Sequence, residues 1–132
     1  MTEKDELDTM IKKIGKIHKK IRFVAIINKN GKIIKTEMRD EVPSLLKTRN
    51  EEKFCQDVTV RRKMREEFDK SLGKVRFVNV ERENISQIVM YAKNKSLFVT
   101  VEPEISIKDK NQIISQLKKI VSWQRFSGFL DN

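Results

Sequence analysis

The residues able to do chemistry in this 132-residue chain are few and far apart. His18 is the only histidine and Cys55 the only cysteine. His18 stands beside an apolar stripe with neither a cysteine nor a carboxylate at metal-ligand spacing, so a packing or boundary role is favoured over ligation. Cys55 follows Phe54, and nothing near it in sequence supplies a base or an orienting group; a small buried hydrophobe is favoured over a nucleophile. Gly31-Lys32 and Gly73-Lys74 each look like the end of a phosphate-binding loop, yet both lack the upstream glycine and the following serine or threonine. They read as turn and cap glycines. Glu102 and Glu104 flank Pro103 at a strand end, where exposed acids are common and a catalytic dyad is disfavoured. No catalytic residue, metal ligand or cofactor site is expected from these patterns.

The net charge of +10 is concentrated. Between Met10 and Arg39 there are ten Lys and Arg residues against one acid, Glu37. Lys12, Lys16, Lys19 and Lys20 share the outer side of a first helix, and Lys29, Lys32 and Lys35 follow on a hairpin, so one continuous basic surface is expected. Such a surface attracts an acidic protein, a nucleic acid held through its phosphates, or an anionic lipid; it also serves as an ordinary solvated face. The shortage of interleaved aromatic residues and glycines argues against a single-strand binder, which stacks bases on exposed rings.

The elements that would position these groups begin with Leu7, Met10, Ile11, Ile14, Ile17 or His18, and Ile21, whose spacing predicts an amphipathic helix over residues 5–21 with an acidic start and a basic end. The pivot of the chain is Arg22–Glu37. Phe23-Val24-Ala25-Ile26-Ile27 is apolar throughout, as in a strand covered on both faces. Asn30-Gly31 supplies the positive φ angles of a tight turn, and Lys32–Glu37 carries the charges of an edge strand. After Met38–Glu41 a short helix is expected at 43–49 and a longer one over 51–72, along Phe54, Val58, Arg61, Met64 or Arg65, Phe68 and Leu72, ended by Gly73. Strands at 74–82, 85–92 and 96–101 form an antiparallel meander, the last of them beside the first strand at the sheet centre. Ser106 and Asp109 resemble a capping box for a final helix from Ile107 to about Trp123, with Ile113, Ile114, Leu117, Ile120 and Val121 inward. Residues 125–132 add a short apolar tail with Phe126, Phe129 and Leu130.

The result is a single α+β domain spanning 1–132: a five-stranded antiparallel sheet in the order α-β-β-α-β-β-β-α, with the central helix on one face and the two terminal helices on the other. The longest apolar run has five residues, Phe23 to Ile27, against roughly 20 for a membrane-spanning helix. The opening Met1-Thr2-Glu3-Lys4-Asp5-Glu6 carries no apolar signal region, so a reducing cytoplasm is the expected setting.

With its Val24–Ile34 hairpin, Val24-Ala25-Ile26-Ile27-Asn28-Lys29-Asn30-Gly31-Lys32-Ile33-Ile34, the chain resembles the roadblock/dynein light chain family, whose fold is related to profilin and longin domains. Leu72–Val80 is similar to a group of short archaeal proteins of unassigned function. The resemblance implies a non-enzymatic scaffold that dimerises through the central helix and the adjacent edge strand and often serves small GTPases or motor complexes. It places the homodimer face on Phe54, Arg61, Arg62, Arg65 and Arg76, and leaves Lys12, Lys16, Lys19, Lys20, Lys29, Lys32 and Lys35 for an acidic partner. Two alternatives stand beside it: a nucleic-acid-binding protein acting through phosphate contacts, and a small-ligand sensor with a pocket between the sheet and the terminal helices.

Overall fold

A computed structural model describes residues 3–39 and 48–127. The first helix, α1, covers Glu3–Gly15 and turns Leu7, Met10, Ile11 and Ile14 inward. It stops six residues short of the expected end. The amides of Lys16 and Ile17 bond to the carbonyls three residues back, closing the last turn after Gly15. The His18 ring then accepts the Lys20 amide through Nδ1 at 3.0 Å. Ile21, expected on the helix, instead opens β1 (Ile21–Asn28) opposite Val101, so strand pairing overrides a helical spacing that Gly15 had already weakened.

β1 folds back on β2 (Ile33–Met38) as expected, but the turn uses one positive φ rather than two. The Asn28 side chain accepts the amides of Asn30 and Lys32 at 2.9 and 3.0 Å, and the Asn28 carbonyl accepts that of Gly31 at 3.0 Å. Only Gly31 enters the left-handed region, at φ +87°, as the glycine that follows a type I turn in a longer hairpin loop does. The expected short helix at 43–49 falls mostly outside the described residues. α2 covers Thr48–Glu66, and the continuous helix expected to Leu72 is broken. Phe68 bonds back to Arg65 rather than Met64, and a separate turn, α3 (Asp69–Leu72), ends at Gly73, φ +85°.

The meander follows as β3 (Val78–Glu81), β4 (Ser86–Tyr91) and β5 (Lys95–Val101), then α4 (Ile107–Ser127). β3 begins four residues later than expected: Lys74–Phe77 stay outside the ladder, whose last pair on that side is Val78 with Val89. α4 continues past Trp123 and takes in Phe126; Phe129 and Leu130 lie outside the described residues. Its start is half of the expected capping box. Ser106 Oγ accepts the Asp109 amide at 3.1 Å, but the Asp109 carboxylate turns to His18 Nε2 at 3.4 Å instead of reaching back to its own cap.

The strand order is β2-β1-β5-β4-β3, all antiparallel. β5 is the centre and β1 its neighbour, which explains why Phe23 to Ile27 are buried without a break. Alternate residues of β1 point to opposite layers. Val24 and Ile26 join α1 and α4 on one face, while Phe23, Ala25 and Ile27 join α2 on the other.

Candidate interaction surfaces

α2 is fixed to the sheet by a narrow inner line. Cys55 and Val58 are buried there, and the Phe54 ring lies 5.2 Å from that of Phe98. Toward its C-terminal end the line becomes polar. Arg62 donates to the Lys95 carbonyl at 3.0 Å, to Ser96 Oγ at 3.3 Å and to the Ala92 carbonyl, and its guanidinium stands 4.9 Å from the centre of the Tyr91 ring. Arg65 donates to the Tyr91 hydroxyl at 2.8 Å. Three of the five residues assigned to a dimer face, Phe54, Arg62 and Arg65, are therefore spent on the fold. Arg61 is exposed and paired with Asp57 at 2.8 Å, and Arg76 is exposed beyond α3.

The outward face of α2 carries something else. Val60, Met64, Phe68 and Leu72 are 55, 60, 57 and 81% exposed, and they recur every fourth residue along α2 and α3. β3 is an edge of the sheet, with Val80 exposed. The helix-period reading put Phe54, Val58, Arg61, Met64 or Arg65, Phe68 and Leu72 on one stripe, whereas the structure turns Phe54 and Val58 inward and Met64, Phe68 and Leu72 outward. The missed signal was Val60-Met64-Phe68-Leu72 at a constant interval of four, a second stripe offset from the Phe54–Val58 line.

The basic segment divides. Gly15 faces Glu37, and Asp8 pairs with Lys35 at 2.6 Å, so α1 lies along β2 with its basic end at the start of β1. There Lys12 and Lys16 share a cleft of about 400 Å³ with Arg22 and Arg39. Both arginines meet one carboxylate: Arg22 at 2.8 Å and Arg39 at 3.3 Å from Glu102 Oε1. Lys19 and Lys20 follow in the connection to β1. Lys29 and Lys32 sit at the hairpin tip, the other end of an eight-residue strand, roughly 24 Å away at strand rise. That tip rests on the opposite layer, where a β-carbon on Gly31 would stand 3.1 Å from Gln56 Cα of α2. Lys35 is tied to Asp8. The structure thus puts Lys12 and Lys16 in one cleft, with Lys19 and Lys20 in the connection that follows, and separates that cleft from Lys29 and Lys32. The continuous track expected for a phosphate backbone is interrupted.

The chemistry-bearing residues are accounted for. Burial pushes the Cys55 thiol up to about 11, with the Glu51 charge adding to the effect, so it is no nucleophile near neutral pH. His18 joins the α1–β1 connection to α4 through Asp109, a carboxylate 91 positions away that spacing could not reveal. Among the described residues no group of three metal-ligating side chains forms, and no helix is long and apolar enough to cross a membrane. Between the sheet and the terminal helices, where the small-ligand alternative puts a pocket, the void beside Met10, Met90 and Val121 measures only about 10 Å³. A hollow of about 690 Å³ opens on the other face, over Phe23, Phe54 and Phe98.

Comparison with solved structures places this architecture among Roadblock/LC7 and profilin-like folds. The Roadblock/LC7 domain from Streptomyces avermitilis superposes with a TM-score of 0.69 at 12% identity, over 91% of this chain and 95% of that one. An MglB structure described as having a tetrameric arrangement gives 0.70 at 8% identity, over 93% of each chain. Acanthamoeba castellanii profilin IA gives 0.55 at 12% identity, over 96% of this chain and 99% of the other. No curated protein matches the sequence. From residue 3 to residue 129 the chain matches the family of unknown function DUF6659, and it belongs to that family.

Proposed function

We propose that this protein is a non-enzymatic interaction module of the roadblock type, a homodimer joined through the outer face of α2 and the β3 edge, with its basic end open to an acidic partner. The observation that carries the reading is the uncovered apolar line Val60-Met64-Phe68-Leu72 on a domain that also has an open sheet edge at β3. Contiguous apolar surface of this kind marks an interface, and an open edge offers unpaired amides and carbonyls to a further strand. A second copy suits it. A two-fold axis at the middle of the apolar line sets Val60 and Met64 of one copy against Leu72 and Phe68 of the other. The tetrameric arrangement described for an MglB of the same fold supports self-association as a use of this scaffold.

The partner surface is Lys12, Lys16, Lys19 and Lys20, on the opposite layer and free to act while α2 is covered. An acidic protein is the partner class its charge selects, and the family resemblance favours a small GTPase. Sedimentation velocity at micromolar concentration tests the dimer. Twice the 15.6 kDa chain mass is expected, falling to the monomer for Met64→Glu combined with Phe68→Glu. A wild-type monomer, or a variant that still dimerises, overturns the reading. Capture of an acidic partner from the native lysate should weaken with salt and disappear for Lys12→Glu with Lys16→Glu.

A further inference from the structure

We infer that the cleft between the sheet side of α2, the Lys74–Phe77 segment and α4 is a binding site for a small soluble ligand bearing clustered phosphates. The cleft measures about 770 Å³, within the roughly 300–1,000 Å³ range of small-molecule sites. Six of its lining side chains are cationic and two are carboxylates.

The fold uses part of this charge and leaves the rest. Arg62 is taken up by the Ala92 and Lys95 carbonyls and by Glu66 at 3.6 Å, and Arg65 by Tyr91. Lys74, Arg76 and Lys118 form no ion pair among the described residues; Lys118 Nζ stands 5.0 Å from the centre of the Phe77 ring. These three come from two separate segments, one between α3 and β3 and one on α4, and meet only through the fold. They meet where the ladder opens, since β4 has no strand neighbour on that side beyond Val89. Like charges gathered in a cleft with low-dielectric walls focus a positive field. Arginine and lysine together supply the forked and point-charge donors that phosphate oxygens accept.

This site goes beyond the interaction module and does not depend on it. Arg62 and Arg65 project from α2 toward the sheet, whereas Val60 and Met64 project away, so a dimer covers the other side. Titration calorimetry of the full chain with inorganic triphosphate at low salt is the test. Saturable one-to-one binding is expected, weakened at least tenfold by Lys74→Ala with Arg76→Ala and by Lys118→Ala, and stronger than binding of monophosphate. The control removes two charges elsewhere: Lys12→Ala with Lys16→Ala should leave the affinity within about twofold. Thermal melts of all variants should stay near wild type, because these side chains are exposed. No binding overturns the inference. Equal weakening by the control overturns it too, as that is attraction to net charge alone. Binding confined to vesicles carrying phosphoinositide, without competition by triphosphate, overturns the assignment to a soluble ligand.

Discussion

Replacing Arg62 by leucine should destabilise this protein far more than replacing Arg61, its neighbour of identical chemistry. The Arg62 side chain is 15% exposed, and that of Arg61 is 62% exposed. Arg62 reaches three acceptors within 3.3 Å at the β4–β5 turn, with the Lys93 carbonyl a weaker fourth at 3.4 Å, and a hydrogen bond from a charged donor contributes about 1.5–3 kcal/mol. The three do not add. They fan from one guanidinium, and the Lys95 carbonyl keeps the Ala92 amide at 2.9 Å when Arg62 is gone. The stacking on Tyr91 contributes about 0.5–1 kcal/mol. Glu66 contributes little, since its carboxylate is half exposed. Leucine restores some apolar contact, which leaves a net loss of about 2–3 kcal/mol, or roughly 10 °C in Tm for a domain of this length. Arg61→Ala forfeits only an exposed i,i+4 pair, about 0.3–0.5 kcal/mol. Arg62→Lys should fall between, because one ammonium cannot span three acceptors. Urea unfolding followed by circular dichroism reads all three. If Arg62→Leu unfolds within about 0.5 kcal/mol of wild type, or if Arg61→Ala costs as much, the account of how α2 is anchored is refuted.

Three further outcomes are expected. Gly31→Ala should cost about 2 kcal/mol or more, because its β-carbon meets the Gln56 backbone at 3.1 Å as well as a left-handed φ; Gly73→Ala, equally left-handed but in open space, should cost only about 1–2 kcal/mol. The Cys55 thiol ionises from 9.0 in the unfolded chain but only near 11 when folded, so the native state holds its proton longer and stability falls between pH 9 and 11. The fall, about 2 kcal/mol, is measured as the difference in urea midpoint between pH 8 and pH 11 and should shrink in Cys55→Ala. Association linked to folding makes Tm rise with protein concentration, and Met64→Glu should abolish that rise.

Much of the fold was legible because its strands are chemically unambiguous. Phe23–Ile27 and Leu97–Val101 are apolar on both faces, which fits only the interior of a covered sheet, and the Asn30-Gly31 pair fixed where the first strand turns. The errors lie where a tertiary partner outweighs a local pattern. Ile17 and Ile21 continue the helical spacing of α1, yet Ile21 gains more from pairing with Val101. Asp109 has the right offset for a capping box, but His18 competes for its carboxylate. The candidate surfaces were less legible still. A charge run in sequence says nothing of strand direction, and β1 carries Lys29 and Lys32 away from Lys16 as it crosses the sheet. Arginines on a helix look solvent-facing until a turn that presents its carbonyls to them is placed beneath.

The unequal layers of this domain bear on why α2 should have a partner. Among the described residues, nineteen buried side chains pack between the sheet and the α1–α4 pair, and seven pack beneath α2. A 19-residue helix held by so few apolar contacts takes much of its attachment from Arg62 and Arg65, polar bonds that add modestly once solvation is counted. The apolar residues that might have thickened this layer, Val60, Met64, Phe68 and Leu72, point the other way. Their placement makes poor sense for an isolated domain, in which each exposed side chain forgoes a burial worth about 1.5–3 kcal/mol. It makes good sense if α2 is an inner layer of a larger body, sandwiched between its own sheet and a second copy of itself. On that view the inner polar anchors set the helix in register, and the outer apolar line supplies the burial that the domain's own second face lacks.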